Sequence, residues 1–199
     1  MTTHFRPALV LLVLFTLLLG FAYPMAISGL GALLFPRQAA GSLIERDGRV
    51  IGSALVGQVF TGEKYFHPRP SAISGTDPND STKTVGTPYD ASNSMGSNAG
   101  PTAKSLIDRV TADSAALKAE NPSAPVPVDL ATASSSGLDP HISLAAALFQ
   151  LPRVARARQL DQAKLKALVD AHLQGRWLGI FGEPVVNVLE LNLALDQGG

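Results

Sequence analysis

The stretch ALVLLVLFTLLLGFAYPMAISGLGALLF, Ala8 to Phe35, holds 28 consecutive uncharged residues, 22 of them apolar. As a helix rising 1.5 Å per residue it would reach roughly 42 Å, more than the ~30 Å hydrocarbon core of a bilayer. Arg6 and Arg37 bracket it. The reading that follows is a single membrane anchor on a water-soluble domain. The rival is a cleaved secretory signal, with His4 and Arg6 ahead of the apolar run and small residues at Ala22 and Ala26. Such signals carry an apolar region of roughly 7–15 residues. Apolarity here continues to Phe35, which favours a retained span. Gly20, Pro24, Gly29 and Gly31 occupy its second half and suit either a kinked isolated helix or close approach of a neighbouring one.

Outside this stretch the chain is ordinary in polarity. Overall, 16 Lys+Arg balance 16 Asp+Glu, and there is no Cys. Only Arg6 and Arg37 precede Glu45, so the remainder is slightly acidic, and the neutrality of the whole averages two unlike parts. A basic footprint for nucleic acid is absent. Without cysteine there are no disulfides, thiolate metal sites, iron–sulfur clusters or thiol nucleophiles. Arg6 on one flank stands against Arg37, Arg46 and Arg49 on the other, so charge alone leaves the orientation of the span open.

Beyond the anchor the pattern predicts an α+β domain with a small sheet and three to four helices. Arg49–Phe60 reads as a strand or strand pair, with Gly52 and Gly57 as bulge or turn points. From His67 to Thr102, 26 of 36 residues are Gly, Pro, Ser, Thr, Asn or Asp, a loop long enough to be functional or disordered. A helix is expected from Ala103, capped by Thr102, with Leu106, Ile107, Val110 and Leu117 on one side and an end at Asn121. Pro125–Ala133 suggests a short edge strand. A helix follows Asp139–Pro140, with Pro152 forcing a kink or restart into RVARAR (Arg153–Arg158), and Asp161 caps the next helix. In PVVNVLELNLALD (Pro184–Asp196), Leu189, Leu191, Leu193 and Leu195 fall on one face and Glu190 and Asn192 on the other, which predicts a half-buried strand.

Motifs that carry chemistry are few. GSNAGPTAKS (Gly96–Ser105) lacks the lysine that follows the last glycine of a phosphate-binding loop, and Pro101 removes a backbone donor, so it reads as a loop entering a helix. TKTVGT (Thr82–Thr87) has no aspartate for acyl-phosphate formation. SSSGLDPHIS (Ser134–Ser143) brings Ser136, Asp139 and His141 close in sequence. It supports either a turn with a helix cap or, as the alternative function, a membrane-anchored periplasmic hydrolase using Ser136 and His141. The nucleophile turn G-x-S-x-G is missing, which favours the turn. The four histidines show no metal-ligand spacing. RVARAR is a basic run suited to a solvated helix face, a phosphate or an acidic partner.

Five pieces in order, YFHPRPSA (Tyr65–Ala72), SMGSNAGPT (Ser94–Thr102), SSSGLDPHIS, AALFQLPRVARAR (Ala146–Arg158) and PVVNVLELNLALD, resemble the KdpC family, the C subunits of Kdp-type potassium-transporting P-type ATPases. The resemblance runs over nearly the whole chain. One departure is visible: the family's Ser-Gly-Gly-Ser-Asn-Leu-Gly stretch here reads Ser94-Met95-Gly96-Ser97-Asn98-Ala99-Gly100.

The resemblance implies a non-catalytic accessory subunit of the plasma (inner) membrane that assembles and stabilises the pump and covers its outer potassium entrance. Its implied organisation is a cytoplasmic tail at residues 1–6, a transmembrane helix at 7–35 and an extracytoplasmic domain at 36–199. The implied partners are a channel-like potassium-translocating subunit, an ATP-hydrolysing P-type subunit and a very small single-span subunit. It further implies no tightly bound cofactor, ATP as a molecule that could be met through the complex, and potassium as the transported ion. The resemblance further implies a catalytic-chaperone role raising the ATP affinity of the pump, through nucleotide contact by Gln150 of the A-x-x-Q-x-P-R-V-A stretch. Candidates for partner contact are Tyr65, Phe66, Arg69, Ser97 and Asn98, since aromatics and arginine are enriched at interface hot spots; core packing is the other use of Tyr65 and Phe66.

Overall fold

The computed structural model describes residues 2–198. The chain divides into two compact units, one running through Ser53 and the other starting at Ala54.

In the first unit, a helix long and apolar enough to cross a membrane covers Phe5–Leu34, with none of its residues buried. It comprises α1 (Phe5–Leu17), a π-turn over Leu18–Ala22 and α2 (Tyr23–Leu34). The π-turn lies where Pro24 removes a backbone donor, so the wider turn carries the helix past the proline. A short helix α3 (Pro36–Ala39) follows, then a hairpin of β1 (Leu43–Arg46) and β2 (Arg49–Ser53). Ile44 pairs with Gly52 and Glu45 with Val50, so one extra residue on β2 makes a bulge beside the predicted Gly52. The strand expected over Arg49–Phe60 therefore ends at Ser53, and its partner lies upstream.

The second unit is α+β. The long polar loop contains an antiparallel hairpin of β3 (Ser74–Asp77) and β4 (Asp80–Gly86), which the composition concealed. Then come α4 (Lys104–Glu120), the single-turn α5 (Val128–Ala131), β5 (His141–Ser143), α6 (Leu144–Arg158), α7 (Gln162–Ala171), β6 (Leu173–Gln174), β7 (Val185–Asn187) and α8 (Val188–Asp196). The last three strands form an antiparallel sheet in the order β5-β7-β6.

Several expectations need correction. The helix α4 starts one residue later than predicted, with Ala103 rather than Thr102 at its cap and no side-chain cap bond. It ends at Asn121 as read, but none of its residues is buried and Ile107 faces solvent. The edge strand expected at Pro125–Ala133 is instead α5, where Leu130 and Ala131 are buried. Pro152 sits inside a continuous α6. Most of the strand expected over Pro184–Asp196 is α8. Asn187 caps it by accepting from the Glu190 N–H, and Val188, Leu191, Asn192 and Leu195 turn inward at spacings of three and four. The cap at Asp161 forms as predicted, accepting from the Ala163 and Lys164 N–H groups.

The core gathers Phe66, Ile142, Ala146, Val154, Leu165, Val169, Val186 and Leu191. Ser143 starts α6 by accepting from the Ala146 N–H, and Asp129 of α5 holds Ser143 through its N–H and its hydroxyl. α6 carries more buried residues than any other helix of this unit, and it supplies Gln150, Arg153 and Arg158 to the first constellation described next.

Candidate functional site

The segment Glu63–His67 has no strand partner, yet each of its five carbonyls accepts a hydrogen bond from a side chain. Arg153 Nη1 donates to Glu63 O (2.6 Å) and Tyr65 O (3.0 Å), and Arg158 Nε donates to Lys64 O (2.7 Å). Two carboxamides then act alike on consecutive residues. Asn192 accepts from the Phe66 N–H and donates to Phe66 O, both at 2.9 Å. Gln150 accepts from the His67 N–H (2.7 Å) and donates to His67 O (3.1 Å). The side chains thereby replace the ladder a neighbouring strand would supply, which buried backbone requires.

Gln150 is 2% exposed, and its Oε1 also accepts from Arg153 Nη2 at 2.7 Å. Arg153 Nε pairs with Glu120 at 2.9 Å. Beside them opens a cleft of about 300 Å³ lined by His67, Pro68, Asp113, Leu117, Glu120 and Gln150. Burial, reinforced by the Arg153 charge, pulls the His67 pKa below its ordinary value. Two members of the basic run are therefore internal struts, while Arg156 stays exposed.

A second constellation joins pieces far apart in sequence. Arg69 Nη1 pairs with Asp139 Oδ2 at 3.0 Å, and the Tyr89 hydroxyl donates to Arg69 O at 2.8 Å. Burial pushes the Asp139 carboxyl up, but hydrogen bonds from His141 and Arg69 outweigh it and leave the pKa lowered. Burial, with the Asp139 charge, raises the Tyr89 hydroxyl. Glycines allow the close fit: a Cβ on Gly57 would run into the Tyr89 ring, and one on Gly96 would lie 2.6 Å from Ser135 O. Gly96 is thus the glycine this loop requires, whereas Met95 stays out of the left-handed region and is tolerated there. The cleft beside this knot, about 420 Å³, is lined by Leu55, Arg69, Ser134, Ser135, Ser136 and Asp139. Arg69 Nε is buried there without a hydrogen-bond partner.

The hydrolase arrangement does not assemble. Ser136 Oγ meets Ser134 Oγ (3.1 Å) and accepts from the Leu138 N–H, while the His141 ring lies against Asp139 at 3.5 Å. Among the described residues no hydrogen bond joins Ser136 to His141, so the pair lacks the contact that activates a serine. The turn reading accounts for all three residues. No cluster of metal-ligating side chains occurs among the described residues.

The partner-contact candidates separate. Phe66 is 0% exposed, which withdraws its ring from the surface and places it in the core. Tyr65 is partly exposed but locked, its hydroxyl donating to Asp196 (3.0 Å) and its ring lying under the Arg158 guanidinium (5.0 Å). Arg69 is held by Asp139. Ser97 and Asn98 are exposed, and Asn98 adopts a left-handed φ of 49°, which asparagine tolerates. Sequence reasoning missed Asn192, Tyr89 and the strut role of the arginines. An asparagine inside the leucine-rich run of α8 was the available signal for the first.

Residues 5–197 match the family described as KdpC, "K+-transporting ATPase, c chain". The KdpC subunit of the potassium-transporting ATPase of Methylobacterium nodulans is 61% identical over 197 residues, covering 99% of this chain and 98% of that one. That of Rhodopseudomonas palustris strain BisB5 is 63% identical over 196 residues, 98% of each chain. That of Methylorubrum extorquens is 62% identical over 195 residues, 98% of this chain and 97% of the relative. The chain belongs to the KdpC family.

Proposed function

We propose that this KdpC-family subunit of a potassium-transporting ATPase works as a scaffold of the pump. In this reading the apolar helix spans the plasma membrane with its N-terminus cytoplasmic, and the α+β domain lies outside over the potassium entrance. There it would stabilise the union of the channel-like translocating subunit, the ATP-hydrolysing subunit and the very small single-span subunit. One observation carries the reading: the family motifs are tied to one another and to neighbouring segments of the same domain. Arg69, Tyr89, Asp139, Gln150, Arg153 and Asn192 hold backbone or each other. A domain braced in this way, without a paired nucleophile and base among its described residues, suits a structural task. The exposed loop at Ser97 and Asn98 is the surface offered to a partner.

A second reading, in which Gln150 touches nucleotide and raises ATP affinity, draws support from its place on the wall of the 300 Å³ cleft. Against it stands the occupation of both ends of its amide by His67 and Arg153. Purified complexes with and without this chain test the scaffold: removal should lower both subunit retention and potassium-stimulated ATP hydrolysis. For Gln150→Ala, loss of thermal stability with an unchanged KM for ATP fits the scaffold. A raised KM at unchanged stability fits nucleotide contact. Protease digestion from the outer face reports the orientation.

A further inference from the structure

A strongly apolar surface outside both sites is the tip of the turn between β6 and β7. Trp177, Leu178, Ile180 and Phe181 are 69%, 70%, 73% and 59% exposed. Nothing lies within 4 Å of a Cβ built on Gly175, Gly179 or Gly182, so the tip stands clear of its surroundings. Leu178 (φ 53°) and Gly179 (φ 74°) are consecutive left-handed residues in the three-residue turn closed by the Trp177–Phe181 pair, a conformation that Asn and Gly favour. An apolar leucine is held there in a left-handed backbone, with its side chain in the open, where asparagine would be relaxed and soluble.

Much of the backbone at the base of this tip is paired internally. Trp177 N–H donates to Phe181 O at 2.8 Å, and the Phe181 and Ile180 N–H groups donate to Trp177 O at 3.0 and 3.2 Å. Gly179 N–H donates to Arg176 O at 3.0 Å. Internal satisfaction of backbone groups is what an apolar medium demands. The Trp177 and Phe181 rings pack on each other with centroids 5.7 Å apart, and tryptophan is the residue favoured where hydrocarbon meets headgroups. At the neck of the turn Arg176 and Glu183 pair at 2.7 Å, leaving no net charge to be desolvated or to call for anionic lipid.

We infer that the Trp177–Phe181 tip inserts into the interfacial layer of the bilayer that holds the anchor. The inference rests on the reading that Phe5–Leu34 spans the membrane. Given that span, the residues from Phe35 to Ser53 reach at most about 70 Å when fully extended. The Ala54–Gly199 unit is therefore kept at a membrane face, and a contact too weak to hold a free protein becomes an intramolecular one at high effective concentration.

Trp177 is the sole tryptophan of the chain, so its fluorescence reads the tip alone. The full chain is reconstituted in phosphatidylcholine vesicles with and without brominated acyl chains, and flotation after an alkaline wash reports the anchor independently. The expected result is at least a twofold loss of Trp177 emission in brominated vesicles, with shielding from aqueous iodide. In Leu178→Asp and Ile180→Asp the bromine quenching should disappear while circular dichroism is unchanged. A floating chain quenched by iodide and not by bromine overturns the inference and leaves the anchor intact. Emission shielded from both quenchers places the tip in a protein groove, such as a second copy, and overturns it as well. A chain that fails to float overturns the spanning reading and this inference with it.

Discussion

The helical span Phe5–Leu34 and helix α6 invert each other. The first carries no charge beyond Arg6 and exposes its leucines and phenylalanines, while the second buries a glutamine and an arginine among alanines and valines. Each is built for its surroundings. An anchor satisfies every backbone group within its own helix and presents only hydrocarbon, as lipid requires. Helix α6 instead exports donors, because the chain packed against it, Glu63–His67, forms no ladder of its own. The contrast teaches that polarity in this molecule follows the needs of the neighbouring backbone more than distance from water.

The comparison breaks hardest at Arg153. Arg153→Ala leaves Glu120 without its guanidinium and the Glu63 and Tyr65 carbonyls without donors. The expected loss is about 3–5 kcal/mol, read as a fall in Tm of the detergent-solubilised chain. In the anchor, Leu14→Asp should cost about 3 kcal/mol of membrane insertion while leaving the Tm of the second unit in place. Sedimentation with membranes separates the two effects. Gln150→Ala should destabilise by about 1–3 kcal/mol through the orphaned His67 N–H and carbonyl. Asn192→Ala is expected to match it, because the two carboxamides do the same work on adjacent residues.

The smallest effect concerns pH. The His67 pKa is lowered in the folded chain, so the unfolded chain binds the proton more readily. The stability this supplies is complete above the unfolded histidine value and is lost as pH falls through the folded one. Asp139 acts with the same sign in the acid range, below the unfolded carboxylate value. Tm should therefore decline from neutral toward mildly acidic pH, and His67→Gln should flatten that decline without altering the steeper loss at lower pH.

What the sequence made legible follows from where its signals are unambiguous. The anchor is readable because length and apolarity admit few alternatives, and the cap at Asp161 because one side chain serves two adjacent N–H groups. The region Val188–Asp196 misled because Leu189, Leu191, Leu193 and Leu195 alternate, while the helical set Val188, Leu191, Asn192 and Leu195 contains an asparagine that composition counts as polar. The hairpin β3–β4 carries almost no apolar alternation, and its turn is set by Asp77 accepting from the Asn79 N–H. As for the site, Gln150 was reached only through family resemblance. Its partner Asn192, 126 residues from Phe66 in sequence, is revealed by folding alone.

That separation has a consequence in time. The segment Glu63–His67 is synthesised early, yet its carbonyls find their donors at Gln150, Arg153, Arg158 and Asn192, all made much later. During translation these groups must stay solvated, and the domain closes only when α8 has been completed. A truncated product, still carrying its anchor, would reach the membrane with the Phe66 strut missing. Without α8, the Phe66 N–H and carbonyl lose the one side chain that serves both.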